Sequence, residues 1–371
     1  TLETEMLDIG RRARVAANVL RLATTQARTA AIDAMAQRLR ERAAEIATIN
    51  ERDVAAAQSK GLDSAQIDRL RLDRERTHAV ADGVAAIAQQ ADPVGAASAA
   101  WTRPNALRIQ RVRTPIGVIG MIFESRPNVA ADAGALAIRS GNAIILRGGS
   151  ESAQTTAAIV NQLRAALRDS GLPEDAIQIV PTTDRAAVGL ILNGLNGAID
   201  VIIPRGGKSL VQRVQQEARV PVFAHLEGIC HTYIHGGADP AKARAIALNA
   251  KMRRVSVCGA TETLLIDKAV APSLLPVIAK DLSEAGCSLR GDDAARAIFA
   301  MDTADEEDWR TEYLAPILSV RVVDGVADAI AHIARYGSQH TESIVTEDTA
   351  AAELFLREVD SAIVLHNAST Q

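Results

Sequence analysis

The strongest constraint on the fold is an alternation between short apolar runs and longer segments of helical periodicity. After residue 115, runs rich in Val and Ile occupy residues 116–123, 143–147, 177–180 and 201–203. Segments long enough for helices separate these runs, at residues 129–139, 152–170 and 184–193. Strands that alternate with helices form parallel βαβ units, in which helices cover both faces of an open sheet. The pattern therefore predicts an α/β fold built on a parallel sheet.

The same alternation returns in the second half of the chain. Helices are predicted at residues 240–251, 273–285, 327–334 and 350–359, and strands at 263–267, 317–323, 343–346 and 362–366. Because 371 residues exceed what one simple core accommodates, this half predicts a second α/β lobe. Residues 1–100 have the three- and four-residue apolar spacing of amphipathic helices, and 107–113 alternate apolar and basic side chains as an exposed strand does.

Composition excludes several classes of function. The net charge is −4 and no long run of like charge occurs, which argues against a protein that binds nucleic acid or a membrane surface. No apolar run reaches the length of a membrane span, and the first residues do not resemble a secretory signal. The three cysteines are far apart and include no CxxC pair, so neither a disulfide framework nor a structural zinc site is expected. We expect a cytoplasmic protein without a metal.

Two polar loops follow predicted strands of the first lobe. Each combines a cation, paired glycines and a hydroxyl: Arg147-Gly148-Gly149-Ser150 and Pro204-Arg205-Gly206-Gly207-Lys208-Ser209. Glycine lets backbone N–H groups approach a phosphate, and a helix N-terminus favours negative charge. Either loop alone could be an ordinary strand-to-helix turn, but two on one sheet favour a dinucleotide.

Cys258 has the surroundings of a reactive thiol. It lies between small residues, in a run over residues 255–260 that is predicted to be extended and to break at Gly259. Arg253 and Arg254 precede it closely, and nearby cations favour the nucleophilic thiolate. The alternative is a small buried hydrophobic side chain near two solvated arginines.

A second polar cluster occupies residues 225–231. His225, Glu227 and His231 are candidates for acid–base catalysis, with Cys230 beside them. Their spacing is poor for a metal site, because adjacent Cys and His residues do not easily reach one ion. Each could instead be a half-buried polar residue bonded to the backbone.

Taken together, these segments resemble the aldehyde dehydrogenase superfamily, from about Met6 to Thr370. The most specific stretches are PIGVIGMIFESRPN (115–128), SGNAIILRGGS (140–150), DVIIPRGGKS (200–209), GICH (228–231), VCGATETLL (257–265), EYLAPILS (312–319) and residues 359–370. The resemblance implies two open parallel-sheet α/β domains and a small oligomerisation arm. The implied division is a helical part of the cofactor domain at 1–100, an arm strand at 101–114, an NADP-binding domain at 115–227, a catalytic domain at 228–346, and a return segment with an incomplete C-terminus at 347–371.

The resemblance also implies roles for individual residues. Cys258 stands at the nucleophile position, and His225 lies in the loop where many members carry their general base. Asn128 falls near the oxyanion-hole asparagine, and Glu312 matches the glutamate that contacts the nicotinamide ribose. Arg147 replaces a lysine that faces the adenosine ribose, which suits a 2′-phosphate and so NADPH as the cofactor.

The implied activity is reduction of L-glutamyl 5-phosphate by NADPH to L-glutamate 5-semialdehyde, through a cysteine thioester and with release of phosphate, in proline biosynthesis. The predicted substrate-binding residues are Arg126, His231, Arg253 and Arg254. A homo-oligomer is expected, as is contact with glutamate 5-kinase, the enzyme of the preceding step. Two alternatives remain: another NAD(P)-dependent or coenzyme-A-acylating aldehyde dehydrogenase, and an inactive scaffold that binds the kinase.

Overall fold

The computed structural model describes residues 1–224 and 227–371. The chain separates into two compact units, Thr1–Ala224 and His225–Gln371. The predictions for His225 concern a residue outside the described ones.

The first unit begins with five helices. They are α1 (Leu2–Leu20), α2 (Thr25–Glu41), α3 (Ala43–Ser59), α4 (Ser64–Leu70) and α5 (Arg74–Ala88). Polar residues mark their starts: the side chains of Thr1, Thr24, Asp63 and Asp73 each accept a backbone N–H of the first turn. The helical periodicity of this region is therefore confirmed as far as Ala88.

A two-stranded antiparallel arm follows these helices. Strand β1 (Ala97–Thr102) pairs with β2 (Arg108–Val112), with Trp101 opposite Ile109. The sequence predicted one strand here and placed residues 97–100 in a helical region, which is wrong. Ala and Ser carry little strand preference of their own, so pairing with β2 decides the conformation of β1.

A four-stranded parallel sheet forms the centre of the first unit. Its strands are β3 (Val118–Phe123), β4 (Ala143–Arg147), β5 (Ile177–Ile179) and β6 (Val201–Arg205), in the order β5-β4-β3-β6. The intervening helices are α6 (Val129–Arg139), α7 (Ala153–Asp169), α8 (Arg185–Leu192) and α9 (Lys208–Glu217). The strand order reverses direction between β3 and β6, and such a switch point opens a crevice beyond the strand ends.

The second unit holds a seven-stranded parallel sheet, in the order β10-β9-β11-β8-β7-β12-β13. The strands are β7 (Cys230–Ile234), β8 (Thr261–Asp267), β9 (Ser288–Gly291), β10 (Asp302–Thr303), β11 (Ile317–Val323), β12 (Thr341–Val345) and β13 (Ile363–His366). The helices are α10 (Pro240–Met252), α11 (Ala271–Glu284), α12 (Asp293–Ile298), α13 (Gly325–Tyr336) and α14 (Thr349–Glu358). Two parallel α/β sheets confirm the predicted fold class.

The middle of this second sheet is buried on both faces. Every residue of β7, β8 and β12 is buried, including His231, Glu262 and Glu342. A charged or polar side chain in such a position needs a partner in the protein interior, because water cannot solvate it. Among the described helices, none combines the length and apolar character needed to cross a bilayer.

Candidate active site

Cys258 lies in a turn between α10 and β8, at the edge of the sheet where β8 begins. The prediction that residues 255–260 are extended is wrong: they form consecutive turns, in which Ala260 N–H donates to Val257 O at 3.0 Å. Cys258 is partly exposed, whereas Cys230 and Cys287 are buried. Cys258 is thus the cysteine of the described chain that a substrate can reach.

Three segments meet at this edge because their strands are neighbours. Gly228 precedes β7, Cys258 precedes β8 and Glu312 precedes β11, and these parallel strands lie side by side in the order β11-β8-β7. The Glu312 carboxylate accepts the N–H of Gly228 at 3.0 Å. The site therefore lies at the amino ends of the strands, opposite to the edge that ligands usually occupy in open α/β sheets.

The backbone of Cys258 is held closely from one side. A Cβ atom added to Gly228 would lie 2.0 Å from the carbonyl oxygen of Cys258, so only glycine allows this approach. The thiol of Cys230 donates to the same oxygen, with 3.1 Å between Sγ and O. Burial raises the pKa of Cys230 well above its usual range, which keeps this thiol protonated as a donor.

A buried ion pair lies beside the Cys258 turn. Lys251, near the end of α10, and Glu262, at the start of β8, are at most 1% exposed, and Nζ lies 2.5 Å from Oε2. The other carboxylate oxygen of Glu262 accepts the N–H of Leu314 at 3.3 Å. Burial raises the pKa of Glu262 to about 7, although Lys251 favours its ionised form.

Both arginines near Cys258 are exposed. Arg253 directly follows α10 as its C-cap, its backbone N–H donates to Asn249 O at 3.1 Å, and its guanidinium lies 3.4 Å from Gln371 O. Since the segment is a helix end followed by turns, the alternation of faces expected for an extended run does not apply to Arg253 and Arg254. Their role in substrate binding stays a prediction.

His231 is enclosed within the second unit. Its side chain is fully buried, and Nδ1 lies 2.9 Å from Glu342, a residue of the neighbouring strand β12. An enclosed imidazole with this partner does not reach a substrate, so the predicted substrate-binding role conflicts with its position, and we leave His231 out of the proposed site. Glu227 is half-buried.

A second buried histidine, His332 of α13, packs against His231, with the ring centroids 5.4 Å apart. Arg321 donates to its Nδ1 at 2.6 Å, so that nitrogen carries no proton. Burial, with the neighbouring His231 and Arg321 adding to it, lowers the pKa of His332 from 6.5 to about 2. His332 is therefore neutral in the folded protein at any moderate pH.

This histidine is expected to make the protein sensitive to acid. Below the ordinary histidine pKa of 6.5, His332 binds a proton in the unfolded chain but stays neutral in the folded chain. Stability is then lost by up to about 1.4 kcal/mol for each pH unit below that value, and nothing is lost above it. His332→Gln should flatten this dependence, as measured by urea unfolding at about pH 7.5 and about pH 5.5. Equal losses for parent and variant would contradict the prediction.

In the first unit, Arg147 ends β4, as predicted. Its guanidinium donates to Gly148 O at 2.8 Å and to Thr183 O at 3.0 Å. Its Nε is buried and has no hydrogen-bond partner among the described residues. Burial lowers the pKa of Arg147, yet a guanidinium stays charged. The contacts fix a positive charge at the strand end, where an anionic group could approach.

The other predicted loop lies at the switch point of the same sheet. Strand β6 ends at Arg205, and Gly206 and Gly207 lead into α9. Gly207 is the N-cap of α9 and has no side chain that could accept a backbone N–H. The carboxylate of Glu124, directly after β3, accepts Gly207 N–H at 3.0 Å. This loop thus offers backbone N–H groups at a helix N-terminus, and one of them already binds a carboxylate. That donor set fits a nucleotide phosphate.

The loop after β3 also carries Arg126 and Asn128, both half-buried. Asn128 precedes α6, and its side-chain amide donates to Asp132 at 3.2 Å. Ser125, at a φ of 49°, donates its N–H and its hydroxyl to Glu151 at 2.7 and 2.8 Å. Glu151 therefore ties this loop to the one that follows Arg147.

A sequence model of the Aldehyde dehydrogenase family matches residues 3–294. The chain belongs to this family. A gamma-glutamyl phosphate reductase from Caulobacter vibrioides is 61% identical over 99% of this chain and 89% of its own length. One from Hyphomonas neptunium is 60% identical over 100% of this chain and 87% of its own length.

Solved structures agree with this membership. The crystal structure of gamma-glutamyl phosphate reductase from Thermotoga maritima is similar with a TM-score of 0.95 and 40% identity, over 99% of this chain and 88% of that one. An acetylating aldehyde dehydrogenase from Geobacillus thermoglucosidasius has a TM-score of 0.71 at 18% identity, over 100% and 87% of the two chains. This second likeness shows the fold alone.

The sequence pointed to Cys258, Arg147 and the loop at residues 204–209, but it missed what surrounds the cysteine. Gly228 lay inside a motif without an assigned role, Lys251 read as the last residue of an ordinary helix, and Glu262 lay just before the predicted strand. One signal was present: Glu262 interrupts a run that is otherwise suited to a buried strand. A charge in such a run predicts a buried partner.

Proposed function

We propose that the chain reduces L-glutamyl 5-phosphate to L-glutamate 5-semialdehyde with NADPH, releasing phosphate. The observation that carries this proposal is the identity of 57–61% with proteins named gamma-glutamyl phosphate reductase, which extends over nearly the whole chain. The partly exposed thiol of Cys258, at an edge shared with Glu312, supports the same chemistry. We further propose a cytoplasmic homo-oligomer whose arm, β1 and β2, takes part in assembly.

In the proposed reaction Cys258 attacks as a thiolate. Its sulfur forms a bond to the acyl carbon, the bond from that carbon to the phosphate oxygen breaks, and phosphate leaves with the electron pair. This gives a thioester, which accepts hydride far more readily than a carboxylate does. NADPH, when bound, supplies that hydride. The carbon–sulfur bond then breaks, the aldehyde leaves and the thiolate is restored, so no general base is required.

The remaining predicted residues have binding roles in this proposal. The backbone N–H of Cys258 is proposed to stabilise the oxyanion that forms at the acyl carbon, and the resemblance implies the same role for the amide of Asn128. Arg126, Arg253 and Arg254 are candidates for holding the phosphate or the substrate carboxylate, because guanidinium groups pair well with both. Glu312 is proposed to contact the nicotinamide ribose. The loops at 147–150 and 204–209 are proposed to hold the phosphates of the cofactor.

The reverse reaction tests the function directly. Purified protein should reduce NADP with glutamate 5-semialdehyde only when inorganic phosphate is present. Reduction that depends instead on coenzyme A would favour an acylating aldehyde dehydrogenase. A folded protein that shows no activity with either phosphate or coenzyme A, yet binds the kinase, would be the inactive scaffold.

Arg147→Ala should weaken binding of NADPH selectively. Since NADPH alone carries a 2′-phosphate, its Michaelis constant should rise by about tenfold or more, while that for NADH changes by less than about twofold. Steady-state kinetics with both cofactors measures this. Arg168→Ala is the matched control, because Arg168 of α7 is an exposed arginine paired with Glu174. An equal rise for both cofactors would assign Arg147 to another ligand or to packing.

A further inference from the structure

Lys251 and Glu262 form an ion pair, and the Cys258 turn lies between these two residues in the sequence. The two residues lie 11 positions apart, one on either side of Cys258, and their contact closes this short segment into a loop. Both side chains are at most 1% exposed. Removing two charges from water is costly, and apolar residues of similar volume often replace such pairs without loss of stability. The pair therefore calls for a reason other than stability.

The second oxygen of Glu262 extends the contact to another segment. It accepts the N–H of Leu314, whose φ of 51° lies in the left-handed region that side chains with a Cβ disfavour. Such a conformation persists where the surroundings impose it. The Nζ of Lys251 also lies 5.8 Å from the ring centre of Tyr313. The pair thus contacts both residues that follow Glu312.

Glu312 links the 312–314 segment to the backbone of Cys258 through Gly228. Its carboxylate accepts the N–H of Gly228 at 3.0 Å, and Gly228 lies directly against the carbonyl of Cys258. A continuous set of contacts therefore runs from Lys251 and Glu262, through the 312–314 segment, to the backbone of Cys258.

We propose that Lys251 and Glu262 are positioning residues of the active site, which hold the Cys258 turn and the Glu312 segment in a fixed mutual geometry. Neither side chain reaches the surface, so neither touches substrate or cofactor. The inference rests on the proposed function in two respects, namely that Cys258 is the nucleophile and that Glu312 contacts the cofactor. Small displacements of reacting groups are expensive in rate, so a loosened turn should slow turnover before it unfolds the protein.

The test removes both charges together, so that no unpaired charge is left buried. Lys251→Met with Glu262→Leu should keep the unfolding temperature near that of the parent. Its kcat should fall by about tenfold or more, and the rate of Cys258 alkylation by iodoacetamide should change by more than about threefold. Lys251→Met with Glu262→Gln keeps an oxygen for the Leu314 N–H. The variant with Glu262→Gln should therefore have a Michaelis constant for NADPH within about twofold of the parent, whereas the variant with Glu262→Leu should have a higher one.

A matched control is available in the same unit. Arg244 and Asp281 form an exposed bidentate pair between α10 and α11, at 2.8 and 3.0 Å. Arg244→Met with Asp281→Leu should leave kcat and alkylation within about twofold of the parent. If Lys251→Met with Glu262→Leu does not fold, the kcat and the alkylation rate of Lys251→Met with Glu262→Gln alone decide the proposal.

The proposal is overturned if a folded variant of the buried pair keeps both kcat and the alkylation rate within about twofold of the parent. Its failure is distinguishable from failure of the proposed function. Turnover by Cys258→Ser would reject the nucleophile, whereas alkylation of Cys258 reports the geometry of the turn whatever the reaction is.

Discussion

Cys258→Ser is expected to lower kcat by at least about a thousandfold while leaving the dissociation constant for NADPH unchanged. A serine hydroxyl is almost fully protonated at neutral pH and lacks the nucleophilicity of a thiolate. The side chain is partly exposed and its backbone is held by Gly228 and Cys230, so the substitution should not disturb the fold. Turnover with glutamate semialdehyde and phosphate, beside fluorescence titration of NADPH, gives both quantities.

The other two cysteines provide the controls for this variant. Cys287 is buried, and burial raises its pKa to about 11, so Cys287→Ser should keep most of the activity. Cys230→Ser should also keep most of it, because a hydroxyl can still donate to the Cys258 carbonyl. Turnover by Cys258→Ser within about tenfold of the parent would remove Cys258 from the mechanism. Loss of activity in either control, together with retained activity in Cys258→Ser, would reassign the nucleophile.

Much of the fold was predictable because periodicity reflects burial. The bounds of α6, β4 and β11 coincide with those expected from the sequence. Strand β7 was missed for a physical reason. Its sequence, CHTYI, reads as a polar catalytic cluster, yet every residue is buried in the middle of the sheet. His231 is tolerated there because Glu342, 111 residues away, accepts its hydrogen bonds. A partner so distant in sequence leaves no local signal.

The candidate site was predictable only in part for a similar reason. Local chemistry indicated Cys258, since small residues and cations surround it in sequence. The support of the turn depends on which strands are neighbours: Gly228 lies against the backbone of Cys258, and Glu312 binds Gly228, because β7, β8 and β11 are adjacent. The order of strands in a sheet does not follow from the pattern of any one of them. The edge also departs from the usual rule, which places ligands at the carboxyl ends of strands.

Gly228→Ala should abolish most activity although the residue carries no functional group. The added Cβ would lie 2.0 Å from the oxygen, 2.7 Å from the carbonyl carbon and 2.9 Å from the Cα of Cys258. These are all backbone atoms, so no side chain can rotate away, and either the start of β7 or the Cys258 turn must move. A displacement of about 1 Å at a nucleophile costs about a hundredfold in rate, and that is the expected fall in kcat. Overpacking should also cost about 1–3 kcal/mol of stability.

The same strand supplies a control for this substitution. Gly236 follows β7 at its other end, and a Cβ there would meet its nearest atom at an ordinary 3.5 Å, from Asp267. Gly236→Ala should therefore keep kcat within about twofold of the parent. Urea unfolding of both variants separates lost stability from lost geometry, provided that kcat is measured where Gly228→Ala remains folded. Near-normal kcat in folded Gly228→Ala would mean that the Cys258 turn shifts without harm. In that case the close backbone contact serves packing and does not position the nucleophile.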